Sequence, residues 1–310
     1  MIERILVPLD GSMTAEAILP QVRRVLHQNR SEIILVRAVN EAPVVGTMED
    51  GDAALEAARE YLYGQKEKLE SAEVRVKAVV RHGAPIDVIL KTVGEEKATM
   101  VAVATHGASG ISRLLLGSVA EGILRRSPVP VLVVRPFWSY ELWGSTGGER
   151  LPLRNLLVPV EGTDISTVSL PGAIELAKLF GMSILLLRVL EADKRPSVTA
   201  EEHAEAVKQL KALARTVEKA GVEALTLVDV GDPARQILDS IRTRGIDLIA
   251  MTTRGREGLS RLVVGSVTER VLRSASVPLL VTRYSDQILK TDVVSHRGQG
   301  TTSAPRGRAC

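Results

Sequence analysis

The sequence predicts an α/β protein of two tandem doubly wound domains, each a five-stranded, mostly parallel sheet in the order 3-2-1-4-5 with helices on both faces, a Rossmann-like arrangement. Three observations carry this: a long internal repeat, a regular alternation of strand and helix patterns inside each copy, and an apolar composition with few aromatics. Residues 105–135 and 253–283 are identical at 17 of 31 positions at a constant offset of 148, where about two agreements would arise by chance. The openings of the copies also align, Ile5-Leu6-Val7-Pro8-Leu9-Asp10-Gly11-Ser12 with Leu156-Leu157-Val158-Pro159-Val160-Glu161-Gly162-Thr163, at an offset of 151. The second copy is therefore three residues shorter between its second and third strands, where residues 43–51 face 194–199. Such length changes belong in loops.

In the first copy, apolar runs at 5–9, 33–39, 74–80, 100–104 and 131–134 are separated by helix-like stretches beginning near Ala15, Ala53, Pro85 and Ser118. The second repeats the order with runs at 156–160, 184–190, 224–230, 248–251 and 279–281. Strands alternating with helices at this spacing argue for βαβ units and a parallel sheet. Hydrophobic residues make up 45% of the chain and aromatics only 3%, so the core is built from Val, Leu, Ile and Ala, which suits strands covered on both faces. Gly83-Ala84-Pro85 and Gly231-Asp232-Pro233 place proline where a helix's first turn has no partner for its N–H, so each marks a strand ending and a helix starting. The domains are read as 1–136 and 152–284, joined by a linker at 137–151 that holds Gly144-Ser145-Thr146-Gly147-Gly148 and followed by a disordered tail at 285–310.

Forty Lys and Arg against 37 Asp and Glu leave a formal charge of +3, so nothing demands a nucleic-acid partner. The most basic stretch, 296–308, is read as part of the solvated tail. The one cysteine, Cys310, leaves no internal disulfide or cysteine metal framework, which favours a cytoplasmic compartment. Neither a basic leader nor a bilayer-spanning apolar stretch is found, and no membrane partner is expected. The five histidines never fall at a metal-ligand spacing, so no protein metal site is expected.

After the fourth strand of the first copy comes Thr105-His106-Gly107-Ala108-Ser109-Gly110 and then Gly117-Ser118; the second has Thr253-Arg254-Gly255-Arg256-Glu257-Gly258 and then Gly265-Ser266. Both loops leave the carboxyl end of a strand, where open parallel sheets bind ligands. Glycines there let backbone N–H groups approach phosphate oxygens, and the following helix N-terminus adds partial positive charge. A second reading stays open, because Ser118 to Glu121 and Ser266 to Glu269 both fit a capping box that only begins a helix. Asp10-Gly11-Ser12 likewise reads either as a ligand-facing acid or as a cap for the first helix.

With these residues in place, the loops resemble the nucleotide motif of the universal stress protein family: glycine, two residues, glycine, nine residues, glycine, then serine or threonine. Gly107 with Gly117-Ser118 and Gly255 with Gly265-Ser266 match the last three elements, whereas the first glycine is replaced by Ala104 and Thr252. The opening strands resemble the family's as well, ending at an acid, Asp10 or Glu161, that helps hold the adenosine end. The resemblance implies binding contacts at Pro8, Leu9, Asp10, Ala38, Ala104, His106, Gly107, Gly117, Ser118 and Val119. In the second copy they fall at Pro159, Val160, Glu161, Val189, Thr252, Arg254, Gly255, Gly265, Ser266 and Val267.

The implied ligand is ATP or another adenine nucleotide, with Mg2+ as a possible companion of the phosphates. Asp10 is retained only in the first copy; Glu161 is longer by a methylene and Thr252 is β-branched, while Arg254 and Arg256 add charge that favours phosphate. The expectation is that the first site binds nucleotide and the second binds weakly or not at all. The resemblance also implies association through the last strand of each domain, so that the two copies could form an internal pseudo-dimer, with a homodimer as the alternative. The leading functional reading is a cytoplasmic, regulatory nucleotide-binding protein of the stress response. The alternatives are a slow ATP hydrolase, although no Gly-x-x-x-x-Gly-Lys-Ser/Thr motif and no catalytic residue is identified, and an interaction scaffold without nucleotide in one or both domains.

Overall fold

The computed structural model describes residues 3–26, 31–39, 48–71, 74–105, 117–135, 152–162, 168–191, 198–253 and 265–283. The expected linker 137–151 and tail 285–310 lie outside them. The first half runs β1 (Arg4–Pro8), α1 (Met13–Glu16), α2 (Leu19–Val25), β2 (Glu32–Val39), α3 (Met48–Leu69), β3 (Arg75–His82), α4 (Pro85–Glu95), β4 (Met100–Ala104), α5 (Ser118–Arg126) and β5 (Val131–Val134). The second runs β6 (Asn155–Pro159), α6 (Leu170–Phe180), β7 (Ser183–Leu190), α7 (Ala200–Lys219), β8 (Ala224–Val230), α8 (Pro233–Thr243), β9 (Leu248–Thr253), α9 (Ser266–Ser274) and β10 (Leu279–Arg283).

Strand order in each half is 3-2-1-4-5, as expected, with all pairings inside a half parallel. The halves join where β10 pairs antiparallel with β5, Leu280 opposite Leu132, so the ten strands form one sheet in the order β3-β2-β1-β4-β5-β10-β9-β6-β7-β8. Arg283 reaches over this seam and donates from Nη1 to the Arg125 carbonyl oxygen at the end of α5, at 2.9 Å. The guanidinium meets the partial negative charge of that helix end.

Because successive side chains of a strand point to opposite faces, the uninterrupted apolar runs feed two cores. Ile5, Val7 and Leu9 join α2 and α3 through Ile18, Val22 and Leu62, and the same cluster continues under α6 and α7 through Leu176, Leu210 and Val217. Leu6, Ile34 and Val36 face α4 and α5 through Ile89 and Ile123, and that cluster continues under α8 and α9 through Ile237 and Val271. Burying each such side chain stabilises the fold by about 1.5–3 kcal/mol.

The first helix begins at Met13, close to the expected Ala15, but it ends at Glu16 and a second short helix follows. Pro20 stands in the first turn of α2, where its missing N–H costs nothing, but it could not continue α1 through that point without a lost hydrogen bond and a ring clash. The prolines at 85 and 233 begin α4 and α8 as expected. The length difference between the copies falls at the second crossover, where α3 has 22 residues and α7 has 20.

Candidate functional site

The geometry of the candidate site follows from how the central strands part. β1 pairs with β4 only at Ile5↔Met100 and Leu6↔Val101, yet stays with β2 as far as Pro8↔Val36, and the Leu9 N–H still donates to Val36 O at 2.9 Å. Beyond Leu6, β1 therefore follows β2 and leaves β4, opening a crevice at the carboxyl ends where the winding direction reverses. Doubly wound sheets bind ligands at this switch point. The second half repeats it: β6 pairs with β9 at Leu156↔Leu248 and Leu157↔Ile249 only, then follows β7, with Val160 N donating to Leu187 O at 2.8 Å.

Several predicted residues converge here. Pro8 ends β1, and Ala38 on β2 and Val119 in the first turn of α5 pack against the same apolar cluster. Val189 and Val267 do so in the second half. Asp10 is exposed just past the crevice, and its Oδ1 accepts from the Ser12 N–H at 2.9 Å. Gly11, at φ +91°, makes that turn; the left-handed region costs glycine little. Capping of α1 belongs to Ser12, whose Oγ accepts from the Ala15 N–H at 3.1 Å, so Asp10 shapes the turn and is not the cap. His106, Gly107, Arg254 and Gly255 lie outside the described residues.

The capping boxes left open as a second reading at Ser118 and Ser266 do not form. Gly117 and Gly265 occupy the N-cap positions, with no side-chain cap, and Glu121 N and Glu269 N bond to the glycine carbonyls at 2.9 Å each. The serines are thus the first helical residues, past the point from which a hydroxyl reaches back to the third-residue N–H. A capping box does form at the start of α7, where Thr199 Oγ1 accepts from Glu202 N at 3.1 Å and Glu202 Oε2 from Thr199 N at 3.0 Å. Its signal, threonine with glutamate three residues on, was present in the sequence.

The side chain at the motif's first-glycine position is not directed at Ala38 or Val119. Ala104 packs toward the α2–α3 cluster, and Thr252 accepts through Oγ1 from the Ser169 N–H at the start of α6, at 3.1 Å. Thr252 is thus tied to the segment that follows β6.

Two arginines beside the crevices were missed. Arg37 lies over the Tyr61 ring, 4.9 Å from its centroid, and a Cβ on Gly11 would sit 3.3 Å from its Nη1. The Tyr61 hydroxyl donates to Glu16 Oε1 at 2.8 Å and is held far above the usual phenol range by burial first and by that hydrogen bond second. Gln65 donates to the same oxygen at 3.0 Å. Arg188, at the equivalent place, donates from Nη1 to Val160 O at 3.4 Å. Burial lowers its guanidinium pKa, and the carboxylates of Glu161 and Glu191 oppose that shift. The available signal was a charged residue recurring, 151 positions apart, inside two otherwise apolar strands.

A doubly wound sheet whose central strands part at their carboxyl ends defines a Rossmann-like binding fold, and here it occurs twice in one chain. Both halves match the Universal stress protein family, over residues 1–135 and 152–283, and the chain belongs to that family. A universal stress protein of Methanocaldococcus jannaschii is 32% identical over 148 residues, covering 44% of this chain and 85% of its own length. One from Bacillus subtilis is 34% identical over 144 residues, covering 41% and 97% respectively. The crystal structure of a universal stress protein from Archaeoglobus fulgidus shares the fold with a TM-score of 0.73 at 23% identity, covering 92% of this chain and all of that one. Among the described residues no helix is long and apolar enough to cross a membrane.

Proposed function

We propose that this universal stress protein is a regulatory module of the cytoplasmic stress response that binds ATP or another adenine nucleotide in the crevice of its first half, with weaker or no binding in the second. The observation that carries the reading is the crevice between β1 and β4, flanked by Asp10 and by the N-terminus of α5, whose Gly117 cap brings no side chain of its own. The first-turn N–H groups, which have no intrahelical acceptor, and the helix dipole there suit phosphate oxygens. The apolar margin at Pro8, Ala38 and Val119 suits a base, and the Asp10 carboxylate suits sugar hydroxyls. Mg2+ would accompany the phosphates, held by them and by water rather than by a protein cage.

The weaker binding in the second half rests on Glu161, whose extra methylene carries its carboxylate beyond the place that Asp10 holds in the first. In this reading the functional units are residues 1–136 and 152–284, joined by 137–151 and arranged as an internal pseudo-dimer; the β5–β10 pairing supports that arrangement.

The test is chemical. Nucleotide released by denaturing the purified protein and identified by mass should be adenine-based, and ATP added to the protein should remain intact over hours. Protein that carries no nucleotide and takes up none would leave the scaffold reading in its place. Steady phosphate release would assign a slow hydrolase.

A further inference from the structure

The ten-stranded sheet ends on β3 at one side and β8 at the other. The backbone pattern fixes which groups these edges expose. Gly83 N donates to Val39 O and Gly231 N to Leu190 O, and in a parallel pair alternate residues bond inward. The odd-numbered residues of β3 and β8 therefore bond to β2 and β7, and Val76, Ala78 and Val80, like Ala224, Thr226 and Val228, turn N–H and C=O outward. Each edge is blunted at one end: Val74, just before β3, exchanges both of its outward bonds with Ser71, at 3.3 and 3.2 Å, and at the end of β8 Val230 N is taken by Asp229 Oδ1 at 2.9 Å and Val230 O by Gln236 Nε2 at 3.1 Å.

The two edges differ in charge. By the strand registers, Arg75, Lys77, Arg81 and His82 of the first half correspond to Glu223, Leu225, Asp229 and Val230 of the second. Leu225 is 53% exposed and Val230 42%, a degree of apolar exposure that edge strands usually avoid. Because the halves oppose each other at the seam, β3 and β8 run in opposite directions, so β8 of one molecule can pair antiparallel with β3 of the next.

We infer that the protein associates head-to-tail with further copies of itself through β8 of one molecule and β3 of the next. With Thr226 opposite Ala78, three outward pairs bond: Val228 with Val76, Thr226 with Ala78, and Ala224 with Val80. This register places Asp229 opposite Arg75 and Glu223 opposite Arg81, and it covers Leu225 with Val79 on the face shared with α4. Opposite charges directly across an antiparallel pair stabilise it and like charges destabilise it. The same overlap between two β8 strands sets Glu223 against Asp229, and between two β3 strands sets Arg75 against Arg81, so both two-fold pairings are disfavoured. Arg81 also meets Glu95, and Lys77 meets Glu96, from the α4 side, and among the described residues no side chain bonds to the outward backbone groups of Val76, Ala78 and Val80. A heterologous contact does not stop at two copies unless the rotation closes a ring.

The experiment uses the full chain in sedimentation velocity over a concentration series. The wild-type protein should grow beyond the dimer as concentration rises and should dissociate in high salt, because the flanking ion pairs are exposed. Proline at an outward position removes an edge donor and no internal bond, so T226P blocks β8 and A78P blocks β3. Each variant alone should be monomeric, and an equimolar mixture should form dimers and nothing larger, since one free β8 and one free β3 remain. Wild-type protein that stays monomeric at every concentration, or A78P or T226P that dimerises alone, would overturn the inference. Charge reversal gives a second test without proline: R75D and D229R should each weaken association at least about ten-fold, and the double variant R75D/D229R should restore it. If either single reversal leaves association unchanged, the register is wrong.

Discussion

In both halves an ion pair joins the two helices that follow the third and fourth strands, Arg126 with Asp87 at 2.8 Å between α5 and α4 and Arg270 with Asp232 between α9 and the cap of α8. Only the first half adds a close approach of glycine to isoleucine. Gly122 on α5 lies so close to Ile86 that a Cβ would overlap it. The corresponding residues of the second half, 148 positions on, are Arg270 and Ala234, and there Arg270 donates to Asp232 Oδ2 at 2.6 Å. The helix caps differ in parallel. Ala84 begins α4 without a side-chain bond, whereas Asp232 caps α8 by accepting from Arg235 N at 2.8 Å. After duplication, the sheet and the parting of its central strands are held alike, and the supporting helix contacts have been rebuilt in part with different chemistry. The same divergence reaches the crevices, at Asp10 against Glu161.

Substitutions can break this comparison at several depths. The largest effect should come where the halves are alike: Ile5→Ala and Leu156→Ala each empty a fully buried position on a central strand and should cost about 2–5 kcal/mol. Chemical denaturation reads this. If the continuous sheet unfolds as a unit, both variants shift one transition; separate transitions would show that the halves unfold independently. Next, Gly122→Val should destabilise by about 1–3 kcal/mol through overpacking against Ile86, while Arg270→Ala should cost clearly less because its ion pair is exposed. Equal costs would show that the close approach of Gly122 to Ile86 adds nothing beyond the ion pairs that both halves have.

A smaller, pH-dependent difference follows from Asp232. Hydrogen bonding from Arg270, then from the Arg235 N–H, holds its carboxyl below the ordinary range. A depressed folded pKa gives stabilisation that is present above the unfolded carboxylate value, near about pH 4, and lost as pH falls through the folded one. Asp232→Asn should flatten that part of the acid limb of the stability curve. If the limb is unchanged, the Asp232–Arg270 pair contributes nothing measurable.

The sheet was legible because its signals are local and repeated: apolar runs of strand length, proline at two helix starts, and a repeat dense enough to fix corresponding positions. The site was legible in its residue types and less so in its geometry. Ser118 and Ser266 fit a capping pattern, but the chain turns into each helix one residue earlier, at glycine, and a pattern of residue types does not fix the residue where helical dihedrals begin. The bond from the Ser169 N–H to Thr252 Oγ1 was not legible, because its partners lie 83 residues apart. Arg37 and Arg188 escaped notice because each acts through a neighbour brought close only by folding, Tyr61 in one half and Val160 with Glu161 in the other. The cross-seam bond from Arg283 to Arg125 spans 158 residues and has no local signature.

The central claim is that the duplicated crevices are unequal in function, and calorimetric titration of ATP into the wild-type, D10A and E161A proteins tests it most directly. The account predicts one strong site per chain, weakened about 10-fold or more in D10A, as befits a lost charge-assisted hydrogen bond, and left within about two-fold by E161A. Two equivalent sites in the wild-type protein, or equal losses in both variants, would contradict it.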